Sequence, residues 1–465
     1  MKNKYYFIAI GGIGMSGLAK YLVEDGFEVL GSDIKENRNI IELRKLGAKI
    51  FIGHDENNLP QDCVVIASTA IKENNPELIK ARKLGLEVLH RSDMLNRISK
   101  GLDKPKKKYF LGYSGTHGKT TTSGISAYVL EKAGLSPSFV VGGILPEYGI
   151  NSQAGNGDFF VAELDESDGT IVKYQPEISV INNLEVDHVD FYTDGLEGIL
   201  NTFKKYLDTL PEGAKIIINN DCGGNLKLME QNPQKQFITF GLKEADYVAK
   251  NIEYKGKETS FDIFYKGQFL INLKIQLRGR HNVYNALAVL ASFREANLDI
   301  EVLKEHFYTF TGMGRRFQLK AEFDGISVYD DYAHHPTEIK ATLDSAQSLH
   351  DKKIIAVFQP HRYTRFQGLW DEFLGAFNGV DEVVITDIYS ASEEPIEGVN
   401  PQKFAQELFQ KTGIKCTHLQ GNINEVAQQL LGMLKSNDVV IGLGAGSITS
   451  LGAELLKARE SISKV

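Results

Sequence analysis

The sequence predicts an α/β protein of three consecutive domains. Three observations support this prediction. The chain has 465 residues, a length that corresponds to about three domains. Short apolar runs typical of buried strands alternate with helical patterns, which indicates largely parallel sheets covered by helices. Two glycine-rich loops each lie between a predicted strand and a predicted helix.

The composition is that of an ordinary globular protein and excludes several classes. The net charge of −8 argues against a nucleic-acid partner, which requires a basic face. The three cysteines are scattered without a C-x-x-C pair, so a disulfide framework and a zinc site are excluded and a reducing compartment is indicated. We find no signal peptide and no apolar stretch that could span a bilayer, and we expect a cytoplasmic protein without membrane insertion. The sequence leaves monomer and homodimer open.

The first predicted domain covers residues 1–107. It has a predicted helix from about Met15 to Asp25, and its strands are predicted at 4–10, 27–33, 48–53, 62–68 and 85–91. The lysine-rich segment Lys104–Lys108 at its end is expected to be a solvated linker.

A glycine-rich loop, Gly11–Gly17, follows the first predicted strand. It satisfies G-x-G-x-x-G through Gly12, Gly14 and Gly17. Glycines let the backbone approach a pyrophosphate, and the following helix N-terminus attracts it. Asp33 ends the second predicted strand, where a ribose-binding acid would lie. The pattern alone fits NAD, FAD, a UDP-sugar or a tight turn without ligand, so it predicts a diphosphate ligand without identifying it.

The second predicted domain covers residues 108–314 and the third covers residues 315–465. In the second, a helix is predicted at 283–296 and an antiparallel appendage at 247–277. Strands of these two domains are predicted at 109–115, 158–164, 177–183, 214–220, 325–332, 353–359, 381–389 and 438–444.

A second loop, G-T-H-G-K-T-T-T at 115–122, follows the first strand of the second domain. The strict G-x-x-x-x-G-K-[ST] pattern is not met, because Tyr113 stands at its first glycine. Its working part is intact: backbone amides cradle a β-phosphate, Lys119 reaches the β and γ oxygens, and the Thr120 hydroxyl ligates Mg²⁺. A dehydrogenase needs only the first loop and a simple ATPase only the second. Two loops in different domains therefore indicate an enzyme that uses ATP on a substrate carrying its own diphosphate.

Nine sequence blocks together resemble the Mur ligase family over nearly the whole chain. They are GGIGMSGLA (11–19), HRSDML (90–95), GTHGKTTT (115–122), AELDESDG (162–169), NNLEVDHVDFY (182–192), GRHNVYNA (279–286), GRRF (314–317), DDYAHHPTE (330–338) and PHRYTRF (360–366). The resemblance implies a Rossmann-like N-terminal domain for a UDP-sugar, a P-loop-type central ATPase domain, and a Rossmann-like C-terminal domain that closes over both with an amino acid.

The resemblance also implies a reaction. ATP phosphorylates the lactyl carboxylate of UDP-N-acetylmuramate, and the amine of L-alanine attacks the acyl phosphate. The nearest alternative is the relative that adds an intact tripeptide to the same UDP-sugar, but the GGIGMSGLA loop favours the alanine enzyme. An NAD-dependent oxidoreductase would leave Lys119, Glu163 and His188 without a function. A non-catalytic nucleotide sensor would not need the set of Lys119, Thr120 and Glu163.

Carried over residue by residue, the resemblance implies four groups of site residues. The ATP group is Gly115, Thr116, His117, Gly118, Lys119, Thr120, Thr121, His281, Asn282, Asn285, Arg316 and Asp331. The Mg²⁺ group is Thr120, Glu163 and His188. The UDP-sugar group is Gly12, Gly14, Met15, Ser16, Asp33, Ser68, Thr69, Ala70, His90, Arg91 and Asn151. The amino-acid group is His334, His335, Arg362 and Arg365, in which the arginines suit a carboxylate because guanidinium binds it bidentately.

Catalysis is assigned to six of these residues: Lys119, Glu163, His188, His334, Arg362 and Arg365. The amino-acid group lies in a domain with neither glycine loop, so it can act only if that domain swings over the nucleotides. A hinge is predicted at Gly312–Gly314, where glycines ease backbone rotation.

Some neighbouring residues have ordinary structural explanations. Most of the acids Asp165, Glu166 and Asp168 fit a plain acidic loop. Asn282 fits a helix N-cap, and Arg315 fits a solvated surface.

Overall fold

A computed structural model describes residues 4–102, 107–188, 191–255, 258–346, 352–391 and 393–462. Within these ranges the chain forms three sheets with helices between their strands, as predicted. Residues 104–106 of the predicted linker lie outside the described ranges. Among the described helices, none combines the length and apolar character needed to cross a membrane.

The N-terminal sheet is parallel, with the strand order β3-β2-β1-β4-β5. Its strands are β1 (Lys4–Ile8), β2 (Glu28–Asp33), β3 (Lys49–Ile52), β4 (Val64–Ala67) and β5 (Val88–His90). Its helices are α1 (Ile13–Glu24), α2 (Arg38–Lys45), α3 (Pro76–Lys83) and α4 (Arg91–Ser99). The strands β2 and β3 are added on one side of β1, and β4 and β5 are added on the other side, so the order of strand addition reverses between β1 and β4. Ligands of open parallel sheets bind at such a switch point, beyond the carboxyl ends of the strands.

A buried carboxylate stands in the core of this first sheet. Glu77 on α3 is fully buried and accepts hydrogen bonds from the Tyr6 hydroxyl at 2.8 Å and the Ser32 hydroxyl at 2.6 Å. Burial of a polar group costs free energy unless the group is hydrogen-bonded. These two hydrogen bonds of Glu77 offset this cost and connect α3 to β1 and β2.

The central sheet has the order β15-β14-β13-β12-β11-β10-β6-β9-β7-β8 in the described part of the chain. Its strands are β6 (Tyr109–Ser114), β7 (Ser138–Leu145), β8 (Ile150–Gln153), β9 (Phe159–Glu163), β10 (Ile178–Ile181), β11 (Lys215–Asn219), β12 (Phe237–Gly241), β13 (Tyr247–Lys255), β14 (Glu258–Tyr265) and β15 (Gln268–Ile275). Its helices are α5 (Lys119–Lys132), α6 (Leu196–Thr209), α7 (Gly223–Glu230), α8 (Arg280–Glu295) and α9 (Ile300–Thr309). Strands β13 to β15 pair antiparallel, which confirms the predicted appendage.

The C-terminal sheet has the order β16-β17-β21-β18-β19-β20 and is parallel except at β16. Its strands are β16 (Gln318–Phe323), β17 (Ile326–Asp331), β18 (Ile354–Phe358), β19 (Glu382–Thr386), β20 (Lys415–Leu419) and β21 (Val439–Leu443). Its helices are α10 (Pro336–Ala346), α11 (Tyr363–Gly368), α12 (Trp370–Leu374), α13 (Pro401–Thr412), α14 (Ile423–Leu431) and α15 (Leu451–Ile462). Alternate residues of β18 enter two separate cores. Both faces of this sheet are therefore covered, as its continuous apolar strands require.

The chain divides into two compact units. The first contains the N-terminal and central sheets and comprises Met1–Glu185, Leu196–Leu277 and Val283–Met313. The second contains the C-terminal sheet and comprises Val186–Gly195, Arg278–Asn282 and Gly314–Val465. The division at Met313 falls inside the predicted hinge. The boundary predicted after residue 107 stays a prediction.

Candidate active site

The first glycine loop has a fixed backbone at the end of β1. The Gly11 amide donates to Asp33 Oδ2 at 2.8 Å, and the Gly11 carbonyl accepts from the side-chain amides of Asn37 and Asn39 at 3.2 and 2.9 Å. A Cβ at position 11 would lie 2.5 Å from Asn37 Nδ2, so the fit requires glycine. The N-cap residue of α1 is Gly12, which has no side chain to cap the first amides, and such amides attract a diphosphate. Asp33 thus holds the loop, and its contact with a ribose stays a prediction.

Arg91 lies beside the first turn of α1. A Cβ at Gly14 would come within 3.3 Å of Arg91 Nη1. Asn151 Nδ2, from the central sheet, donates to the carbonyl of the first residue of α1 at 3.0 Å. The structure therefore brings these three predicted UDP-sugar residues together. The side chains of Met15 and Ser16 are buried and contribute packing rather than an open surface.

The residues that follow β9 form an acidic loop, Glu163–Asp168. Asp165 pairs with Arg91, so a carboxylate of the central domain orients a cation of the N-terminal domain. Burial opposes the charge of Asp165, but Arg91 and Lys119 outweigh it and hold the pKa of this carboxyl well below its usual range. The pair therefore stays ionised at neutral pH.

Asp168, at the other end of the acidic loop, also contacts residues of the N-terminal domain. Its Oδ2 lies 3.5 Å from Thr69 Oγ1 and 3.5 Å from His90 Nε2. Burial lowers the pKa of His90 although Asp168 opposes this, which favours the neutral imidazole. Ser68 and Ala70 flank Thr69 in the turn after β4, where Ser68 is half-buried and Ala70 is exposed.

The phosphate loop, Gly115–Gly118, joins β6 to α5. Its first glycine has φ of +121° and its last has φ of +82°, conformations that favour glycine. Asn183, just beyond β10, accepts the Thr116 amide with its backbone carbonyl at 2.9 Å and the His117 amide with Oδ1 at 2.7 Å. His117 Nε2 lies 3.3 Å from a carboxylate oxygen of Glu185. The contacts with Asn183 and Glu185 fix the backbone of a loop whose amides could bind a phosphate group.

Lys119 is the first residue of α5 and uses all three donors of its ammonium. Nζ donates to the carbonyls of Gly115 and the following residue at 2.7 and 3.1 Å, and to Glu166 Oε1 at 2.8 Å. Burial opposes the charge of Lys119, but the carboxylates of Glu166, Asp165 and Glu163 outweigh it and raise its pKa. Burial raises the pKa of Glu166 to about 7, against the effect of Lys119. A cation is thus fixed at the loop before any phosphate arrives.

Two further residues of the predicted ATP group lie on the helices around this loop. A Cβ at Gly118 would lie 2.7 Å from Asn285 Oδ1, so Asn285 on α8 contacts the end of the loop. Thr121 is buried on α5.

Glu163 ends β9 beside the phosphate loop. Its Oε2 accepts the Thr120 hydroxyl at 2.9 Å and the Gly142 amide at 2.9 Å. Burial raises its pKa, although Lys119 lowers it. A carboxylate and a hydroxyl next to phosphate oxygens are ligands that Mg²⁺ prefers, so the donors of this pair fit the metal. The third predicted ligand, His188, belongs to Val186–Gly195, which is part of the second unit.

In the second unit, Asp331 joins two loops at the end of β17. Its oxygens accept the Phe317 amide at 2.7 Å and the Ala333 amide at 2.8 Å. Burial raises its pKa to about 6. Arg316, predicted to contact ATP, lies 3.7 Å from Glu338 Oε1.

Two structural explanations from the sequence are wrong. Asn282 does not cap α8, because the helix begins at Arg280 and Asn282 Nδ2 donates to the Arg278 carbonyl at 2.7 Å. Its neighbour His281 is exposed in the first turn. Arg315 is not a plain solvated residue, because its Nη2 donates to a backbone carbonyl, that of residue 444, at 2.9 Å.

The predicted amino-acid group gathers largely around one buried acid, Asp187. Arg365 is buried, and its Nε donates to Asp187 Oδ1 at 3.3 Å. Burial opposes the charge of Asp187, but His188, Arg365, His335 and His334 outweigh it and hold its pKa well below the usual range. Burial lowers the pKa of His334 to about 3, so this imidazole is neutral at pH 7. His335 is buried, and its Nε2 lies 3.1 Å from the Val186 carbonyl oxygen.

The fourth member of the group, Arg362, points to a different acid. Its Nε lies 3.2 Å from Glu393 Oε1, and its φ of +71° sets it at the start of α11. His361 lies between the two arginines, with Nδ1 3.3 Å from Arg365 Nη1 and its ring stacked on Tyr389. The N-cap residue Arg362 and the helical residue Arg365 of α11 therefore have separate anionic partners.

Several residues of the site were missed by sequence reasoning. They are Asp165, Glu166, Asp168, Asn183 and Asp187. The signal for the first three was the run of acids after β9 in AELDESDG, and for Asn183 it was the asparagine pair after β10. Asp187 adjoins His188, but no local signal reveals its arginine partner.

Family patterns cover most of the chain. Residues 4–102 match the pattern described as Mur ligase family, catalytic domain. Residues 114–293 match the Mur ligase middle domain, and residues 315–446 match the Mur ligase, glutamate ligase domain. These segments follow one another along the chain and contain the strands of all three sheets except most of β6, which begins at Tyr109.

Individual relatives match over the full length. A UDP-N-acetylmuramate–L-alanine ligase of Geotalea daltonii is 41% identical over 461 residues, which is 99% of this chain and 99% of that protein. The crystal structure of a UDP-N-acetylmuramate–alanine ligase from Thermotoga maritima has a TM-score of 0.81 at 29% identity and covers 99% of both chains. A murein peptide ligase from Psychrobacter arcticus, at 22% identity and a TM-score of 0.71 over 98% of both chains, shares the fold. The chain belongs to the Mur ligase family.

Proposed function

We propose that this chain joins L-alanine to the lactyl carboxylate of UDP-N-acetylmuramate. ATP drives the reaction, and the products are UDP-N-acetylmuramoyl-L-alanine, ADP and phosphate, in peptidoglycan synthesis. Identity of 41% to an alanine ligase along 99% of both chains supports this choice of substrates. The structural observation that carries it is the phosphate loop with Lys119 bound inside it and the Thr120–Glu163 pair beside it.

The chemistry requires that two anions meet. The carboxylate oxygen of the sugar is a poor leaving group, and transfer of the γ-phosphoryl of ATP to it forms an acyl phosphate that the alanine amine attacks. The amides of the phosphate loop and Lys119 would hold the triphosphate and offset its charge. Thr120, Glu163 and His188 would hold Mg²⁺, which neutralises phosphate charge when bound.

The UDP-sugar is proposed to lie at the switch point of the N-terminal sheet. Gly12 and Gly14 leave room for its diphosphate at the N-terminus of α1, and Arg91 supplies a cation that Asp165 orients. Thr69, His90 and Asn151 line the same region. In this proposal the diphosphate and the phosphate loop lie on opposite sides of one acidic loop, within the first compact unit.

The amino acid is proposed to bind in the second unit. Arg365, Arg362 and the two histidines of the HHPTE block form its group, with Arg316 and Asp331 directed to the nucleotide. Guanidinium recognises a carboxylate bidentately, which suits the free carboxylate of alanine. We expect the enzyme to work in the cytoplasm, as a monomer or homodimer.

One assay tests the proposal against its alternatives. Phosphate release from ATP should require both UDP-N-acetylmuramate and L-alanine, and mass spectrometry should identify the alanylated sugar. Release with the tripeptide and not with alanine would favour the recycling ligase. Oxidation of NADH with keto acids, without coupling enzymes, would contradict a ligase.

A further inference from the structure

The ammonium of Lys119 has no donor to spare for a phosphate. Its three donors go to two carbonyls of the phosphate loop and to Glu166 Oε1. A lysine ammonium has three donors in all. To bind a phosphate oxygen, Lys119 must therefore release at least one of these three partners.

Glu166 is the partner that a phosphate would replace. The two carbonyls belong to the loop that cradles the phosphate, so they remain near the ammonium in any bound state. Glu166 comes from the separate acidic loop, and its carboxylate has the same charge as the phosphate oxygens. Two anions therefore compete for one cation.

We propose that Glu166 is the resting partner of Lys119, holding the ammonium in the phosphate loop until a nucleotide phosphate takes its place. Glu166 is thus a positioning residue that acts through Lys119 and weakens nucleotide binding by competition. The inference rests on the proposed ATP site and adds to it an exchange of partners within the chain.

The exchange has a consequence for protons. Glu166 is 1% exposed and faces Asp165, a second carboxylate, besides Lys119. A buried carboxylate that loses its cation takes up a proton more readily. The pKa of Glu166 is raised by burial to about 7 even with Lys119 beside it, and it rises further when Lys119 turns to a phosphate.

The sign of the pH dependence follows from these two states. Below pH 7 Glu166 is protonated with or without nucleotide, so binding takes up no proton there. Above pH 7 the free protein holds it ionised and the bound protein holds it protonated. Nucleotide affinity should therefore fall as pH rises above 7. At pH 8, one unit above the pKa of Glu166 in the nucleotide-free protein, the fall should be about tenfold.

Calorimetry of ADP binding to the full chain tests the exchange. ADP is used with EDTA, so that no metal contributes, and binding is measured at pH 8 in Tris and in HEPES, whose ionisation enthalpies differ. ADP itself is fully ionised at this pH. We expect uptake of most of one proton by the wild-type chain, and binding without proton uptake would overturn the proposal.

Glu166→Gln keeps the shape of the side chain and removes its charge. It should bind ADP about tenfold more tightly than wild type at pH 8 and equally at pH 6, with no proton uptake. Asp168→Asn, in the same acidic loop but directed at Thr69 and His90, should keep the wild-type proton uptake. A Glu166→Gln chain that binds ADP more weakly, or retains the uptake, would overturn the exchange.

The proposed function and the exchange fail in different ways. If the wild-type chain does not bind ADP, the ATP site itself is wrong. If it binds ADP with the same affinity at pH 8 and pH 9, where ADP stays ionised and the exchange predicts a further fall of about tenfold, the ATP site stands and the exchange is wrong. The wild-type measurement decides this even if Glu166→Gln does not fold.

Discussion

Gly142→Ala tests whether the position of Glu163 matters for phosphoryl transfer. A Cβ at position 142 would lie 2.2 Å from Glu163 Oε2, 2.7 Å from its Cδ and 2.8 Å from Oε1. Ordinary contact begins near 3.4 Å, so the carboxylate must move by about 1 Å, and it then loses its bond to Thr120. Because a misplacement of about 1 Å can cost about 10² in rate, we expect ligation to slow about 100-fold.

The assay is phosphate release at saturating ATP, UDP-N-acetylmuramate and alanine. Gly223→Ala is the matched control, since a Cβ there meets no atom within 4 Å, and its rate should equal that of wild type. Thermal unfolding should change by only a few degrees in both variants. A Gly142→Ala enzyme with a near wild-type rate would refute the assignment of Glu163.

Three further changes probe other parts of the chain. Lys119→Ala removes the cation of the phosphate loop and should slow ligation by about 10²–10³, while calorimetry should show unchanged binding of the UDP-sugar. Arg365→Ala should raise the alanine concentration needed for half-maximal rate at saturating ATP and UDP-sugar, with ATP binding intact. Arg362→Ala should have the same effect if both arginines bind alanine. An unchanged alanine dependence in the double variant would remove both arginines from the site. Glu77→Ala leaves the buried Tyr6 hydroxyl without its acceptor and should lower the free energy of unfolding by about 1–3 kcal/mol in urea, whereas Glu73→Ala, which removes an exposed ion pair, should leave it nearly unchanged.

The sequence predicted the buried parallel strands and missed several at the sheet edges. Strands such as β6, β18 and β21 are covered on both faces, so their apolar runs are continuous and easy to detect. Strands β8, β16 and β20 end their sheets. Each contains polar residues that interrupt its apolar pattern, and in β8 these residues, Asn151 and Ser152, are buried. β7 was missed because two glycines interrupt its apolar run, and one of them makes room for Glu163.

Local features of the site were predictable, and its long-range partners were not. The glycines and Lys119 of the phosphate loop follow from the backbone of a strand, a turn and a helix, which lie next to one another in the chain. Arg91 and Asp165 are 74 residues apart, and Arg365 and Asp187 are 178 residues apart. Such pairs depend on how distant segments approach, which a single sequence does not contain.

Strand order explains why one acidic loop contacts both proposed nucleotide sites of the first unit. In the central sheet β9 pairs in parallel with β6, so the loop after β9 must emerge beside the loop after β6, which is the phosphate loop. Three acids of this short segment then have three different partners. Glu163 accepts a hydrogen bond from Thr120, Glu166 pairs with Lys119, and Asp165 pairs with Arg91 of the N-terminal domain. Because Asp165 and Glu166 are adjacent in the chain, a phosphate that displaced Glu166 would act one residue away from the group that orients the cation of the UDP-sugar site.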